Sequence, residues 1–259
     1  MILQIKNLTG GYTKDHDILQ GVSLEIAKGD SVGIIGLNGS GKSSFAKAIL
    51  NILPYRQGEI LFNGVDVSKK STRELSELGI ALFMQGGSVF DELSVRDNLL
   101  ISANNKKEID YIRKYFISLR LDTNESLKMK ADKLSGGERN QLVLAMCMLK
   151  KPSLLILDEP SAGLSPNAVN SMYQTLNLLR EKEKLTTILI EQNVTRAVEF
   201  CSSVNMLRNG KIMPVTAIAA VMSRNMSHNL GSHTLSGVKY QSEDKSLLLK
   251  EIKKIMFNN

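Results

Sequence analysis

The apolar residues of this chain fall into short continuous runs, which are separated by longer polar segments with helical periodicity. The runs are bounded by Gly or polar residues and are too short for most helices. Continuous apolar runs of this length are typical of parallel strands that are buried on both faces. The sequence therefore predicts buried strands at SVGII (31–35), IALFM (80–84), LLILDE (154–159) and TTILIE (186–191).

Helical segments alternate with these strands. Apolar positions repeat with helical spacing over 42–52, and Pro54 ends the pattern because proline cannot continue a helix. A second helix is predicted over 166–184. Near the N-terminus ILQI and VSLEI add short strands, and RNGK (208–211) predicts a tight hairpin turn. This alternation predicts an α/β fold, in which a sheet carries helices on its faces.

Two segments depart from the alternation. Between about 90 and 150 the chain has Asn/Lys-rich turns and helical periodicity, which predicts a mainly helical insertion. From about 214 the composition shifts to Met, Ser and Asn, and near the end Leu248, Ile252 and Ile255 share a helical face. We therefore expect one domain over 1–213, which contains the helical lobe, and a partly helical tail over 214–259.

The composition limits the classes of function. Of the 259 residues, 42% are hydrophobic and 23% are charged, which is ordinary for a globular protein. The formal charge is +7, but Lys and Arg are scattered and no basic block is interleaved with aromatic residues, so we expect no direct nucleic-acid binding. The two cysteines lack metal-ligand spacing and predict reduced thiols. No stretch approaches 18 uncharged apolar residues, so no transmembrane segment of its own is expected.

GLNGSGKSS (36–44) carries the first candidate chemistry. It matches G-x-x-x-x-G-K-[ST], follows a predicted buried strand and opens a predicted helix, the context in which such a loop binds phosphate. Lys42 would reach the β- and γ-phosphates, and the Ser43 hydroxyl would ligate Mg²⁺. The alternative is a Gly-rich turn without a ligand. The predicted nucleotide-binding residues here are Gly36, Asn38, Gly39, Ser40, Gly41, Lys42, Ser43 and Ser44.

LLILDE places two acids where a predicted central strand ends. The carboxyl ends of parallel strands share one edge of the sheet, and the phosphate loop starts at that edge. Asp158 would therefore hold Mg²⁺, and Glu159 would polarise a water molecule. The alternative is an acidic loop without a catalytic role.

LSGGERN (134–140) is a second Gly-rich turn at a predicted helix start, and it contains no lysine. A helix N-terminus presents backbone N–H groups and the positive end of the helix dipole, which suit an anion. The turn alone identifies no ligand.

Taken together, GLNGSGKSS, Gln85, LSGGER and LLILDEP resemble, in order and spacing, the nucleotide-binding subunits of ATP-binding cassette (ABC) transporters. The resemblance covers roughly residues 1–213, the expected ABC ATPase domain. It implies a P-loop NTPase core, with a parallel sheet between helices on both faces, an N-terminal antiparallel β part and an inserted, mainly helical lobe. It also implies ATP and Mg²⁺ as cofactors and ATP hydrolysis as the activity.

The resemblance assigns further residues one by one. Tyr12 matches the aromatic residue that stacks on adenine, with an ordinary surface or core tyrosine as the alternative. Gln85 matches the glutamine that reaches Mg²⁺ and the attacking water, and Glu159 matches the catalytic glutamate. Gln192 stands at a position where most of the family has His. A glutamine there can donate a hydrogen bond but cannot carry a positive charge.

The resemblance also explains the turn without a lysine. In this family two nucleotide-binding domains pair head to tail, and the signature turn of one closes over the ATP that the other holds. A second ATPase chain is therefore implied, because this chain contains one set of motifs. The residues expected to act on the partner's ATP are Ser135, Gly136, Gly137 and Glu138.

Two motifs narrow the subfamily. EPSAGLSP and LIEQN resemble the smaller ATPase subunit of branched-chain amino-acid importers, whose partner ATPase is a different chain. A heterodimer is therefore favoured, with a homodimer as the alternative. MQGGSVFDELSVRDNL resembles the surface that receives a membrane permease subunit, which implies a cytoplasmic, peripheral location on the inner face of the cell membrane.

Other classes of function remain as alternatives. They are a subunit for another substrate or for export, a cassette ATPase of translation or DNA repair, and a non-catalytic regulatory cassette. Translation types carry two cassettes in one chain and repair types insert a long coiled coil, and neither feature is present in the sequence. Intact Lys42, Asp158 and Glu159 argue against a non-catalytic module.

Overall fold

A computed structural model of the chain describes residues 1–84, 89–103, 105–116, 124–215, 249, 250 and 252. The chain folds into two compact units. The first unit contains Met1–Thr72 and Thr187–Asn259, and the second contains Arg73–Thr186. The domain limits expected from the sequence, 1–213 and 214–259, stay a prediction.

An antiparallel sheet forms the N-terminal part of the first unit, as the sequence predicts. Its strand order is β2-β1-β4-β5, and Leu3 of β1 lies opposite both Ile26 of β2 and Phe62 of β4. All three side chains are buried, because one face of the sheet packs into the core of this unit. The strands are β1 (Leu3–Gly11), β2 (Leu19–Ile26), β4 (Tyr55–Phe62) and β5 (Val65–Asp66).

Four further strands of the first unit follow the order β10-β9-β3-β8. They are β3 (Ser31–Ile35), β8 (Thr186–Glu191), β9 (Ser203–Arg208) and β10 (Lys211–Pro214). The central strand β3 pairs in parallel with β8 and β9, and all its residues are buried, as its continuous apolar run predicts. Because Ile35 lies opposite Glu191, β3 and β8 end side by side. The predicted hairpin joins β9 to β10 through Asn209 and Gly210, which both have positive φ.

The helices of this unit are α1 (Lys42–Ile49) and α8 (Val194–Phe200). The first is shorter than the segment 42–52 predicted from periodicity. Asn51 adopts a left-handed conformation with φ of 59°. Its side-chain amide donates to the carbonyls of Val67 and Lys70 at 2.8 and 2.6 Å. These tertiary hydrogen bonds turn the chain out of the helix before Pro54 is reached.

The described residues of the second unit between 90 and 150 are mainly helical, as predicted. Strands β6 (Ile80–Phe83) and β7 (Leu154–Asp158) pair in parallel in this unit. The helices are α2 (Thr72–Glu77), α3 (Val95–Ser102), α4 (Lys106–Arg113), α5 (Asn124–Lys128), α6 (Gly136–Leu149) and α7 (Pro166–Glu183), with a 3-10 turn at Ala131–Lys133.

Of the predicted apolar face of the tail, Ile252 is buried, and Leu248 and Ile255 lie outside the described residues.

A cluster of tyrosines joins the α4 region to the end of α7. Tyr111 donates a hydrogen bond to the Glu183 carboxylate at 2.6 Å, and Tyr115 donates to the same oxygen. Burial and these contacts raise the pKa of Tyr115. Burial alone would raise the pKa of Glu183, but the two hydroxyl donors outweigh it and the pKa is lowered. The Lys114 ammonium lies 3.6 Å from the centre of the Tyr111 ring.

Candidate functional site

The phosphate loop (36–44) follows β3 in the first unit and includes the first residues of α1. Gly39 and Gly41 have φ of 78° and 99°, values that side-chain-bearing residues rarely adopt. A Cβ on Gly36 would lie 2.5 Å from the Leu207 carbonyl oxygen and 2.5 Å from the Ser40 hydroxyl oxygen. Glycine is therefore needed here both for backbone conformation and for close approach, which is how such a loop wraps around phosphates.

Lys42 is the first residue of α1, and its side chain reaches back to the start of the loop. It is only 5% exposed, and its ammonium donates hydrogen bonds to the carbonyls of Gly36 and Leu37 at 2.9 and 3.0 Å. Gly41, the N-cap of α1, provides no side-chain cap, and the first turn of α1 contains no acidic residue. The helix start thus keeps its positive potential, with a buried ammonium beside it.

The Ser40 hydroxyl tests whether an anion suits the loop. Among the described residues it is buried without a hydrogen-bond partner. A buried unpaired hydroxyl costs about 1–3 kcal/mol, so each such group needs an explanation, and a bound ion or water molecule is one. A phosphate oxygen would accept this hydrogen bond. In the same loop Ser44 is buried, Ser43 is half-buried, and Asn38 is exposed.

Gln192 follows β8 in the same unit. Because β3 and β8 end side by side, the phosphate loop and Gln192 start from the same edge of the sheet. Gln192 is exposed, whereas Glu191 is only 3% exposed. The Glu191 carboxylate accepts the N–H groups of Gln192 and Asn193 at 3.2 and 3.4 Å. Sequence reasoning missed this role for Glu191; an acid at the end of a predicted buried strand was the available signal.

Tyr12 directly follows β1 in the first unit and is 46% exposed. Its hydroxyl accepts a hydrogen bond from the Lys47 ammonium at 3.0 Å. An exposed aromatic ring beside the phosphate-binding helix suits contact with a nucleotide base.

Asp158 is the last residue of β7 in the second unit, and Glu159 follows it. Asp158 is 7% exposed and Glu159 is half-buried. Glu159 has φ of 48°, a left-handed conformation that is uncommon for a side-chain-bearing residue and costs about 1–3 kcal/mol. Lys151 and Lys184 have the same conformation, so the backbone strain alone does not distinguish Glu159.

The signature turn (134–140) opens α6 in the second unit. The Ser135 hydroxyl accepts from the Glu138 N–H at 3.3 Å, while the Glu138 carboxylate accepts from the Ser135 N–H and hydroxyl at 2.9 and 2.7 Å. This reciprocal arrangement is a capping box. Arg139 pairs with Asp91 at 2.5 Å. The helix start is therefore already capped by a carboxylate of its own chain.

The loop after Glu159 packs against this turn within the same unit. Asn140 donates to the Pro160 carbonyl at 3.3 Å. A Cβ on Gly136 would lie 3.9 Å from Leu164, and a Cβ on Gly137 would lie 2.7 Å from the Ala168 side chain. The signature turn and the segment that follows the catalytic candidate Glu159 are thus one packed body.

Two of the predicted Mg²⁺ ligands are oxygen donors, Ser43 in the first unit and Asp158 in the second. Mg²⁺ prefers oxygen ligands and is usually held by one or two protein groups, with phosphate oxygens and water completing the shell. Ser43 supplies a hydroxyl and Asp158 a carboxylate. Within the described ranges no three acidic, His or Cys side chains gather as an all-protein metal site would require. Gln85, the third predicted ligand, lies outside the described residues.

Comparisons with known proteins identify the family to which the chain is similar. Residues 19–162 match the family model described as ABC transporter. The chain is 36% identical over 217 residues to the probable branched-chain amino acid transport ATP-binding protein LivF of Archaeoglobus fulgidus, which covers 82% of this chain and 90% of that protein. It is 30% identical to the high-affinity branched-chain amino acid transport ATP-binding protein BraG of Pseudomonas aeruginosa, over 79% of this chain and 88% of that protein.

A solved structure shares the fold. The crystal structure of the ADP conformation of MJ1267, an ATP-binding cassette of an ABC transporter, superposes with a TM-score of 0.73 at 26% identity. The match covers 82% of this chain and 89% of that chain. The predicted P-loop NTPase fold is thereby confirmed.

Proposed function

The chain belongs to the family of ABC transporter ATP-binding subunits, and from that premise we propose that it hydrolyses ATP to drive branched-chain amino-acid import through separate membrane subunits. One observation carries the proposal furthest. In the phosphate loop a buried lysine donates hydrogen bonds to two loop carbonyls, and a buried serine hydroxyl of the same loop lacks a partner among the described residues. Such a loop presents donors for a nucleotide's phosphates.

Each site residue has a role in this proposal. The backbone and side chains of 36–44, with Lys42, hold the phosphates, and Tyr12 stacks on the adenine. Ser43, Asp158 and Gln85 hold Mg²⁺, which when bound neutralises phosphate charge. Glu159 accepts the proton of the attacking water, and Gln192 donates a hydrogen bond to the γ-phosphate.

The signature turn acts on a second ATP. Ser135, Gly136, Gly137 and Glu138 form it, and we propose that it closes over ATP held by another ATPase chain. A different partner chain is favoured over a second copy of this one, because Gln192 replaces the histidine that most of the family carries. The unequal pair would then contain one site with glutamine and one with histidine.

The proposed location is the cytoplasmic, inner face of the cell membrane, where ATP is available and permease subunits can be reached. Within the described residues no helix is both long and apolar enough to cross a bilayer. Support for the substrate comes from the likeness to LivF and BraG and from the motifs EPSAGLSP and LIEQN. The alternatives are an ABC ATPase subunit for another substrate or for export, and an ABC ATPase outside transport.

Glu159→Gln tests the catalytic part of the proposal. In the complex isolated from native membranes, ATPase should fall by about 10²–10⁴-fold, because a general base is lost, while ATP binding is retained. Glu181→Gln, an exposed glutamate of α7, is the matched control and should keep full activity. Retention of more than about a tenth of the wild-type rate in Glu159→Gln would contradict the assigned role.

The chains that accompany the protein test the transport part. Membranes should yield it together with permease subunits and a second ATPase chain that keeps the histidine. Uptake of radiolabelled leucine into vesicles that contain this complex should require ATP. If the complex transports another solute and not leucine, the substrate assignment is wrong, while the assignment as a transport ATPase stands.

A further inference from the structure

Hydrogen bonds hold the backbone around Tyr12, and the ring of this residue is exposed. Ile18 donates its N–H to the carbonyl of Gly10 at 2.8 Å, and Thr13 and His16 form an isolated β-bridge. These hydrogen bonds close a tight loop directly after β1 and fix the backbone of Tyr12. The ring itself, 46% exposed, still has two side-chain torsions to settle before it can serve as a stacking surface.

Lys47 supplies a contact that restrains the ring. Its ammonium lies 3.0 Å from the Tyr12 hydroxyl oxygen and 5.3 Å from the ring centre. The cation is thus at the hydroxyl edge of the ring and not above the middle of a face. A base that stacks on the ring uses a face, so a cation at the edge restrains the ring without competing for that face.

Lys47 lies on the same helix as the predicted phosphate-binding residues, so its contact with Tyr12 links the two. The helix begins with Lys42 and Ser43, and Lys47 lies just over one turn further along. A helix of this length behaves as a stiff rod, so residues at its start and in its second turn keep a fixed spacing. Helix α1 therefore contains both the phosphate-binding residues and the lysine that restrains the Tyr12 ring.

We infer that Lys47 is a positioning residue for nucleotide binding, which anchors the Tyr12 ring by its hydroxyl so that the ring meets an adenine whose phosphates are held at the start of α1. The inference rests on the proposed function, because it needs Tyr12 to contact the base. Lys47 acts through Tyr12 and does not touch the nucleotide. Its loss should weaken binding of nucleotides that have a base and spare ligands that have none.

The experiment compares two ligands on the purified full-length chain by isothermal titration calorimetry. ATP has a base, and inorganic tripolyphosphate does not. Lys47→Met should weaken ATP binding by about two- to tenfold, the range expected for a cation–aromatic and hydrogen-bond contact at a partly exposed site. Tripolyphosphate affinity should stay within about twofold of the wild type.

Three matched variants sharpen the comparison. Lys47→Arg keeps a cationic donor and should retain most of the ATP affinity. Lys14→Met removes a lysine whose ammonium lies 5.8 Å from the Tyr55 ring centre, and it should change neither affinity. In a Tyr12→Phe background Lys47→Met should have a much smaller effect on ATP, because the hydroxyl that it anchors is already gone.

The outcomes separate the inference from the proposed function. If the wild-type chain binds neither ATP nor tripolyphosphate, the proposed function is wrong. A chain that binds both, while Lys47→Met weakens them equally, would show that Lys47 acts as a general positive charge and overturn the inference. Unchanged ATP affinity in Lys47→Met, or additive effects of Lys47→Met and Tyr12→Phe, would overturn it as well.

Discussion

The chain contains two Gly-rich turns that open helices, and their helix starts are built in opposite ways. The phosphate loop (36–44) leads into α1 through Gly41, which has no side-chain cap, and Lys42 is buried beside it. The signature turn (134–140) leads into α6 through Ser135, whose capping box is completed by the carboxylate of Glu138. One helix start carries a buried cation and the other carries its own anion.

The difference favours the phosphate loop as the turn that holds a phosphate by itself. An uncapped helix N-terminus beside an ammonium attracts an anion strongly. A helix N-terminus that is already capped by a carboxylate offers fewer free N–H donors and repels a second negative charge. It therefore suits an anion whose charge another group has largely neutralised. The signature turn therefore fits a phosphate that arrives already bound to another chain's lysine and metal, as the proposed trans arrangement requires.

Glycine also serves two purposes in these turns. In the phosphate loop Gly39 and Gly41 provide positive φ. In the signature turn Gly136 and Gly137 have helical positions, and what matters at Gly137 is space, because a Cβ there would lie 2.7 Å from the side chain of Ala168. The same residue type thus provides conformational freedom in one turn and close helix packing in the other.

Among the variants that change the isolated chain, the largest loss of ATP affinity is expected when the phosphate loop loses its lysine. Lys42→Met removes the ammonium and its hydrogen bonds to the carbonyls of Gly36 and Leu37. Charge-assisted hydrogen bonds contribute about 1.5–3 kcal/mol, so ATP affinity of the isolated chain should fall about 10- to 100-fold. Calorimetric titration measures it, with Lys14→Met as the control that should bind normally. An unchanged affinity would show that the loop is not the primary phosphate site.

Ser135→Arg breaks the other turn and should give the reverse pattern. The isolated chain should bind ATP within about twofold of the wild type, because its phosphate loop is untouched. The assembled complex should lose ATPase by about 10²-fold or more, since the arginine fills the space that a partner's phosphate needs. If isolated-chain affinity collapses instead, the turn serves its own chain's ATP and the comparison fails.

Much of this contrast was predictable from the sequence, and some was not. The motif GLNGSGKSS predicted the loop between β3 and α1 because both neighbours have strong periodic patterns. The end of α1 was predicted too late, since the Asn51 side chain forms tertiary hydrogen bonds that local periodicity does not contain. The capping box of Glu138 was visible in the S-x-x-E spacing but was not used, and the Lys47–Tyr12 contact joins residues too distant in sequence for any local pattern.

A smaller effect separates the two signature glycines. Gly136→Ala would place its Cβ 3.9 Å from Leu164, an ordinary contact, whereas Gly137→Ala would force α6 and α7 apart at Ala168. Overpacking of this kind typically costs about 1–3 kcal/mol, so Gly137→Ala should have the lower free energy of unfolding by that amount. Urea denaturation of both variants measures the difference. Equal stabilities would mean that Gly137 is not needed for helix packing.

The smallest expected effect concerns Gln192, and it tests whether the two turns of this chain belong to two unequal ATP sites. Donors aimed at a transition state are commonly worth about 2.7–4 kcal/mol, and glutamine keeps a donor while it loses the ring and charge of histidine. Glu191 holds the backbone N–H of residue 192 whatever its side chain, so Gln192→His should fold normally.

In the proposed complex the site built on this chain's phosphate loop and Gln192 would be the slower one. The site that this chain's signature turn completes would be the faster one, because the partner contributes the histidine there. Turnover in Gln192→His should therefore lie between unchanged and about tenfold higher, well below the effect of a complete donor. Steady-state ATPase of the complex measures it, and Gln174→His, an exposed position of α7, is the control.

A lone chain that hydrolyses ATP vigorously, or a complex with two copies of this chain and no other ATPase, would refute the unequal pair. Glutamine would then serve equally in both sites of a homodimer, and each phosphate loop would meet the signature turn of an identical partner.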